Sequence, residues 1–335
     1  MKLAFVRLTS VLQCFALASV ALMPFAAEGA PALRKINIGA PPVPPIHVAV
    51  KLKYFEQFGL DVNLIKFTSG PAQFAALAGG QIDLAFGGMG AFSLAKANGQ
   101  DINFIALLVD NNPLQALVVP ANSPVKSIKD LVGRKIALVP GSDAHYGTFR
   151  WLRKFDVSLT SVTILGMAPP QQVAALEKGD VDALHTWEPF ITTVLEKGGR
   201  VLVRLPELDP GPAYLGWAAK RKWLDANGDV AIKMLKGWNL GLKKMEEDPE
   251  LAVKLMLEST GMGESQARAV TGSPHYTATS ALDPSSPVYW AKGSRVNRVL
   301  RDFQAFGKEA GVTKKEIDID DFVMTRLMQA LKDGK

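Results

Sequence analysis

Cysteine is almost missing from this chain: Cys14 is the only one among 335 residues. A single thiol excludes a disulfide framework and any multi-cysteine zinc or iron–sulfur site. Histidine is nearly as scarce, and His47, His145, His185 and His275 show no metal-ligand spacing. Neither a metal nor a cofactor is therefore expected. Charge of one sign is also lacking. Lys plus Arg number 38 against 32 Asp plus Glu, a net +6 with no long basic run, so the footprint of a nucleic-acid binder is absent. There is no G-x-S-x-G elbow, no G-x-x-x-x-G-K-[ST] loop and no H-E-x-x-H. What remains is an ordinary globular composition, 48% hydrophobic and 21% charged. The length exceeds the usual ceiling for one core, so two lobes or domains are expected.

The N-terminus reads as an address. Lys2 and Arg7 precede an uncharged stretch whose apolar centre runs over 11–22, and small residues follow at Ala26, Ala27, Gly29 and Ala30. That is the layout of a cleaved secretory signal peptide, over about 1–30. Gln13 and Pro24 break the run short of the ~20 apolar residues a membrane anchor needs. No later segment reaches spanning length without charges, so a soluble protein outside the cytoplasm is expected.

The chain repeats itself at an offset of 99 residues. Residues 71–83 read PAQFAALAGGQID and residues 170–182 read PQQVAALEKGDVD, identical at seven of thirteen positions. Two chance amphipathic helices would share alanines and leucine, but hardly the proline, glycine and aspartate punctuation. Similarity at a fixed offset points to a duplicated unit. In the first copy, strands are expected over 36–39, 61–67 and 82–86, with helices over 46–58, from Ser69-Gly70-Pro71 to Gly79, and over 91–97. In the second, strands fall over 135–139, 162–165 and 181–184, and helices start at Gly141-Ser142-Asp143, Pro169-Pro170 and Trp187-Glu188-Pro189. Strands alternating with helices indicate a mostly parallel sheet covered on both faces. Helices over 231–245, 249–258, 296–310 and 320–331 complete the chain. Crossings between the lobes are expected at 119–123 and 206–212, which gives a first lobe of 31–120 plus 213–335 and a second of 121–212. Asp83 and Asp182, at matched repeat positions, are expected to tie a loop to a strand end.

In such a sheet, ligands sit beyond the carboxyl ends of the strands, where helix N-termini offer unpaired N–H groups to anions. Four turns qualify: Thr68-Ser69-Gly70, Gly87-Gly88-Met89-Gly90, Gly141 to Tyr146, and Thr186-Trp187-Glu188-Pro189. Ser69 and Ser142 offer hydroxyls, Gly70 and Gly88 a close backbone approach, Tyr146 and Trp187 aromatic walls, and Glu188 an acceptor for an amine. The plain alternative for each serine is a helix cap. Only His145 and Glu188 are candidates for an acid–base pair.

The segments KYFEQFGLDVNLIKFTSGPAQFAALAGGQIDLAFGG, PGSDAHYGTFRWL and ILGMAPPQQVAALEKGDVDALHTWEPF together resemble the periplasmic substrate-binding proteins of ABC importers. The likeness is to the taurine, aliphatic-sulfonate and nitrate group, which is related to thiamine-pyrimidine precursor binders. It implies a type 2 binding-protein fold of two α/β lobes, each a mixed sheet flanked by helices, closing on a ligand. It also implies a non-catalytic monomer that delivers a small organic anion, such as taurine or another sulfonate, to an inner-membrane permease and its ATPase. Carried over residue by residue, Ser69, Gly70, Gly88, Met89, Ser142, His145, Tyr146, Trp187 and Glu188 line the cleft, with Tyr214 joining them. The turn over 87–92 is apolar and uncharged. That leaves room for an aromatic ligand beside Met89 and Phe92 and keeps nitrate, an aromatic carboxylate or a pyrimidine as alternatives.

Overall fold

The computed structural model describes residues 32–40, 42–207, 211 and 213–334; the expected export segment over 1–30 and part of the expected crossing at 206–212 lie outside the described residues. In chain order, β1 (Arg34–Ala40) leads to α1 (Pro44–Lys51), β2 (Leu60–Lys66) to α2 (Gly70–Ala78), and β3 (Leu84–Gly88) to α3 (Met89–Ala97). The strands β4 (Ile102–Asp110) and β5 (Gln115–Val119) follow. Then β6 (Lys135–Leu138) leads to α4 (Asp143–Lys154), β7 (Thr163–Gly166) to α5 (Pro169–Lys178), and β8 (Ala183–Trp187) to α6 (Phe190–Glu196). After β9 (Arg200–Arg204) and β10 (Tyr214–Lys220) come α7 (Arg221–Ala226), α8 (Gly228–Glu247), α9 (Pro249–Thr260), α10 (Glu264–Thr271), α11 (Arg295–Glu309) and α12 (Thr325–Lys332).

The strands form two five-stranded sheets, ordered β2-β1-β3-β10-β4 and β7-β6-β8-β5-β9. The two orders superimpose. In each, three parallel strands come from one copy of the repeat, and the fourth strand runs antiparallel. That antiparallel strand is borrowed from outside the copy: β5 arrives before the second copy and β10 returns after it. Each sheet is therefore mixed, where alternation of strands and helices alone suggested a nearly parallel one.

The repeat's aspartates do the same work twice. The Asn37 N–H donates to the Asp83 carboxylate at 2.8 Å, and the Lys135 N–H donates to the Asp182 carboxylate at 2.8 Å. The Asp83 and Asp182 N–H groups return bonds to the carbonyls of Asn37 and Lys135. Each aspartate thus pins the turn before β3 or β8 to the neighbouring strand. Replacing either with alanine leaves a strand N–H without its acceptor. We expect a loss of about 1–2 kcal/mol, measured by urea unfolding, with the asparagine variant recovering part of it.

The first crossing lies earlier than 119–123. Residues 115–119 pair with β8 and β9, so the chain leaves the first sheet at Asp110 and enters the second at Gln115. Consequently 115–120 belongs with the second sheet. The turn residues Asp110-Asn111-Asn112-Pro113 mark the change, and Asn-Pro is a turn former; the apolar run of β5 obscured it. The two crossings are tied together, since the Asn111 N–H donates to the Ala213 carbonyl at 2.8 Å and the Ala213 N–H donates to the Asn112 side chain at 2.9 Å.

Two helices differ from expectation. The one expected over 46–58 stops at Lys51, because Lys53 adopts a left-handed φ of 59°. The one expected from 320 begins at Thr325, because the backbone before it runs beside β4: the Phe104 N–H bonds the Phe322 carbonyl, and Asn103 bonds the Asp321 carbonyl. In the core of the first sheet Phe86 stacks on Trp238 and Trp217 meets both edge-on, while Trp151 is buried beside His185 in the second.

Candidate functional site

The carboxyl ends of the parallel strands in both sheets open on one cavity of about 350 Å³. The first sheet contributes the turns after β1 (Pro42 to His47), β2 (Phe67 to Gly70) and β3 (Gly87, Gly88). The second contributes Gln115 at the start of β5, Ser142 and Asp143 at the start of α4, and the stretch Trp187 to Phe190 after β8. The walls are largely apolar and aromatic, with Phe67, Phe86, Trp187 and Phe190 among them. A final wall comes from far along the chain: Thr260, Gly261 and Met262 after α9, and Ser273 and His275 after α10.

Six of the ten residues singled out from sequence meet here: Ser69, Gly70, Gly88, Ser142, Trp187 and Glu188. Their chemical states differ. Ser142 is a helix cap: its hydroxyl donates to the Val139 carbonyl at 2.7 Å and accepts from the His145 N–H at 3.4 Å. Ser69 stands at the N-cap of α2 and makes no side-chain cap bond. The first-turn N–H groups of that helix have no intrahelical partner, so Ser69 and Gly70 together are the more available donor pair. Glu188 accepts from the Thr192 N–H at 2.9 Å, and burial raises its carboxyl above the usual range against the pull of that bond.

Met89, His145, Tyr146 and Tyr214 are not among the residues lining this cavity. Met89 and Tyr214 are buried in the core of the first sheet. His145 and Tyr146 share the first turn of α4 with Ser142 and Asp143, but their side chains are taken up elsewhere: the Gly141 N–H donates to the His145 Nδ1 at 3.3 Å, and both rings pack against α11. The Tyr146 ring packs 4.6 Å from Phe303 and 5.3 Å from Phe306, and His145 meets Phe306 edge-on at 5.0 Å. These two residues therefore join α4 to α11, and burial lowers the pKa of the His145 imidazole.

Sequence reasoning passed over Asp143. It is 5% exposed, its Oδ1 has no hydrogen-bond partner among the described residues, and burial pushes its carboxyl up to about 8. Gly88 accommodates it, since a Cβ at residue 88 would lie 2.9 Å from the Asp143 Cγ. Gln115 is also buried in the cavity wall with an unpartnered Oε1. Lys66 is the one lysine of the lining, and its ammonium rests on the Thr260 carbonyl at 3.3 Å on the exposed rim. His275, held by the Ser273 carbonyl, is driven by burial down to about 4 and is neutral at pH 7.

Two sheets of matched order with a cavity at their strand ends define the periplasmic-binding-protein fold. The alkanesulfonate-binding protein SsuA of Xanthomonas axonopodis pv. citri, solved bound to MOPS, superimposes with a TM-score of 0.76 at 22% identity, over 88% of this chain and 99% of that one. The chain belongs to the NMT1/THI5-like family, whose pattern matches residues 41–280. A Bacillus subtilis (strain 168) relative named for binding aliphatic sulfonates is 28% identical over 205 residues, 60% of either chain. The taurine-binding periplasmic protein of Escherichia coli (strain K12) is 24% identical over 82% of this chain and 86% of its own.

Proposed function

We propose that the protein is the solute-binding component of an ABC importer, exported to the periplasm, and that it captures a small sulfonate in this cavity and presents it to a membrane permease with its ATPase. The observation that carries the reading is the meeting of strand ends from both sheets around an apolar cavity with an uncommitted helix start. The sulfonate end is assigned to Ser69, Gly70 and the first turn of α2, where N–H groups, hydroxyl and macrodipole favour an anion. The body of the ligand lies against Trp187 and Phe190. The two halves of the molecule, 32–110 with 214–334 and 115–204, act as the lobes that close on it, and closure selects ligand by its better fit to the closed form. Among the described residues no helix is long and apolar enough to cross a membrane, in keeping with a receptor that works beside a separate permease.

A catalytic reading has little support, because the two groups that could form an acid–base pair are each bonded elsewhere: His145 accepts from the Gly141 N–H and packs on Phe306, and Glu188 accepts from the Thr192 N–H. The aromatic walls favour one variant of the reading, a ligand with an aromatic or heterocyclic body. The test is a thermal-shift series with alkanesulfonates, taurine, aromatic sulfonates, nitrate and pyrimidines. A ligand at a hundredfold excess over its Kd stabilises by ~2.7 kcal/mol. We expect the shift with a sulfonate and its loss in Trp187→Ala and Ser69→Ala, whereas Ser142→Ala weakens the α4 cap and lowers the melting temperature with or without ligand. Unchanged ligand shifts in Trp187→Ala and Ser69→Ala would remove this site.

A further inference from the structure

The oxygen atoms of the cavity outnumber what a simple anion can satisfy. Asp143 enters it from the start of α4 with Oδ1 buried and unpartnered, and among the described residues no ion pair reaches it. Gln115, on the first residue of β5, adds a second buried oxygen with no donor. Glu188 spends one carboxylate oxygen on the Thr192 N–H. Against these stand few cations: among the described residues no arginine lines the cavity, Lys66 is on the rim, and of the two imidazoles in the wall, His47 and His275, the latter is neutral at pH 7. A buried carboxylate or amide oxygen left without a donor costs about 1–3 kcal/mol, more when charged, and natural sites rarely leave one idle. A neutral Asp143 carboxyl can give one O–H to an unadorned sulfonate, which brings further acceptors and still leaves the buried Asp143 Oδ1 and Gln115 Oε1 without a donor.

We propose that Asp143, assisted by Gln115, is a specificity-determining group that requires a nitrogen donor on the ligand, a protonated amine or an N–H-bearing heterocycle. The inference rests on the cavity assignment above and narrows its substrate class from sulfonates in general to amino-substituted ones. Gly88 is part of the device, because only a residue without Cβ leaves Asp143 its place. A site built around a donor rejects the analogue lacking it far more strongly than an apolar pocket rejects a missing methylene.

The test is calorimetric titration of the wild-type protein and of Asp143→Asn with three sets of compounds. The first is ethanesulfonate and benzenesulfonate. The second is their amino counterparts, taurine and 4-(aminomethyl)benzenesulfonate. The third, benzylamine and 4-aminopyrimidine, keeps the donor and omits the acid. We expect at least one amino-sulfonate to bind tenfold or more tighter than its partner without nitrogen, and Asp143→Asn to erase that preference. Equal affinity within both pairs overturns the inference and leaves the sulfonate receptor standing, and so does a preference that survives in Asp143→Asn. Binding of the third set with none of either sulfonate set supports the donor requirement and overturns the sulfonate assignment. Silence from all three sets overturns both. The wild-type comparison needs no variant to fold, and a melting curve for Asp143→Asn checks that it does.

Discussion

Gly88→Val abolishes ligand binding while leaving secondary structure intact. Residue 88 ends β3 and caps α3 with φ −68° and ψ 128°, an ordinary extended conformation, so a side chain there is not strained by its backbone. The effect comes from space alone. A Cβ would meet the Asp143 carboxyl, 2.9 Å from its Cγ and 3.0 Å from Oδ1, and valine adds two methyls to that. Gly88 belongs to the first sheet's half and Asp143 to the second's, so the clash is relieved either by swinging Asp143 away from its place in the cavity wall or by holding the halves apart. Both remove the closed, ligand-competent form. We expect affinity to fall more than a hundredfold by calorimetry, with an unchanged far-ultraviolet circular dichroism spectrum. Asp143→Ala added to Gly88→Ala should recover closure but not the preference for an amino group. Affinity within threefold of wild type in Gly88→Val would show that the two residues do not meet in the bound form.

The second large effect is on stability and is read through pH. The Asp143 carboxyl is pushed from an ordinary 3.8 up to about 8 by burial. Between those values the folded protein keeps a proton that the unfolded chain has lost. The stabilisation this brings is complete at low pH, declines as pH rises, and is gone once pH passes the folded value. One such proton is worth about 1.4 kcal/mol per pH unit over the interval. Glu188, raised in the same sense, adds to the decline. The histidines oppose it: His275 at about 4, His185 at about 3 and His145, all lowered by burial, make the fold less stable as pH falls below 6.5. The Asp143→Asn comparison removes these shared contributions. We expect the variant to melt at the wild-type temperature near pH 4–5 and several degrees above it at pH 8–9, since ~1 kcal/mol moves a protein of this size by about 2–4 °C. Lys66 and His47 also line the cavity and are common to both proteins. Parallel curves across the whole range would mean that Asp143 is solvated.

Much of this was legible in the chain itself. The repeat at 71–83 and 170–182 identified α2 and α5, and its proline, glycine and aspartate became helix starts, left-handed or turn caps and the paired strand anchors Asp83 and Asp182. Strand-to-helix turns also located six of the cavity residues, because the carboxyl ends of parallel strands must converge on a cleft. The rest depended on information that local pattern does not carry. A family motif places G-S-x-x-H-Y at a helix start, yet it is the long-range packing of Phe303 and Phe306 of α11 that takes up His145 and Tyr146 and leaves residues 142 and 143 to the cavity. Asp143 stands in the first turn of α4, and its sequence neighbours carry no sign of its isolation, which follows from Gly88 of a different sheet closing over it. The wall made by Thr260 to Met262 and His275 had no local sign, since long-range packing of α9 and α10 brings it there. The crossing at 111–114 was hidden because β4 and β5 are both buried apolar strands and look like one lobe's core.

Small-angle scattering during a taurine titration is the measurement that meets the receptor reading most directly, because it reports both binding and movement of the two halves. A radius of gyration that falls saturably as taurine is added, with the amino-sulfonate recovered unchanged, is the predicted result. A radius that stays constant up to millimolar taurine, or conversion of the ligand during the titration, would contradict it.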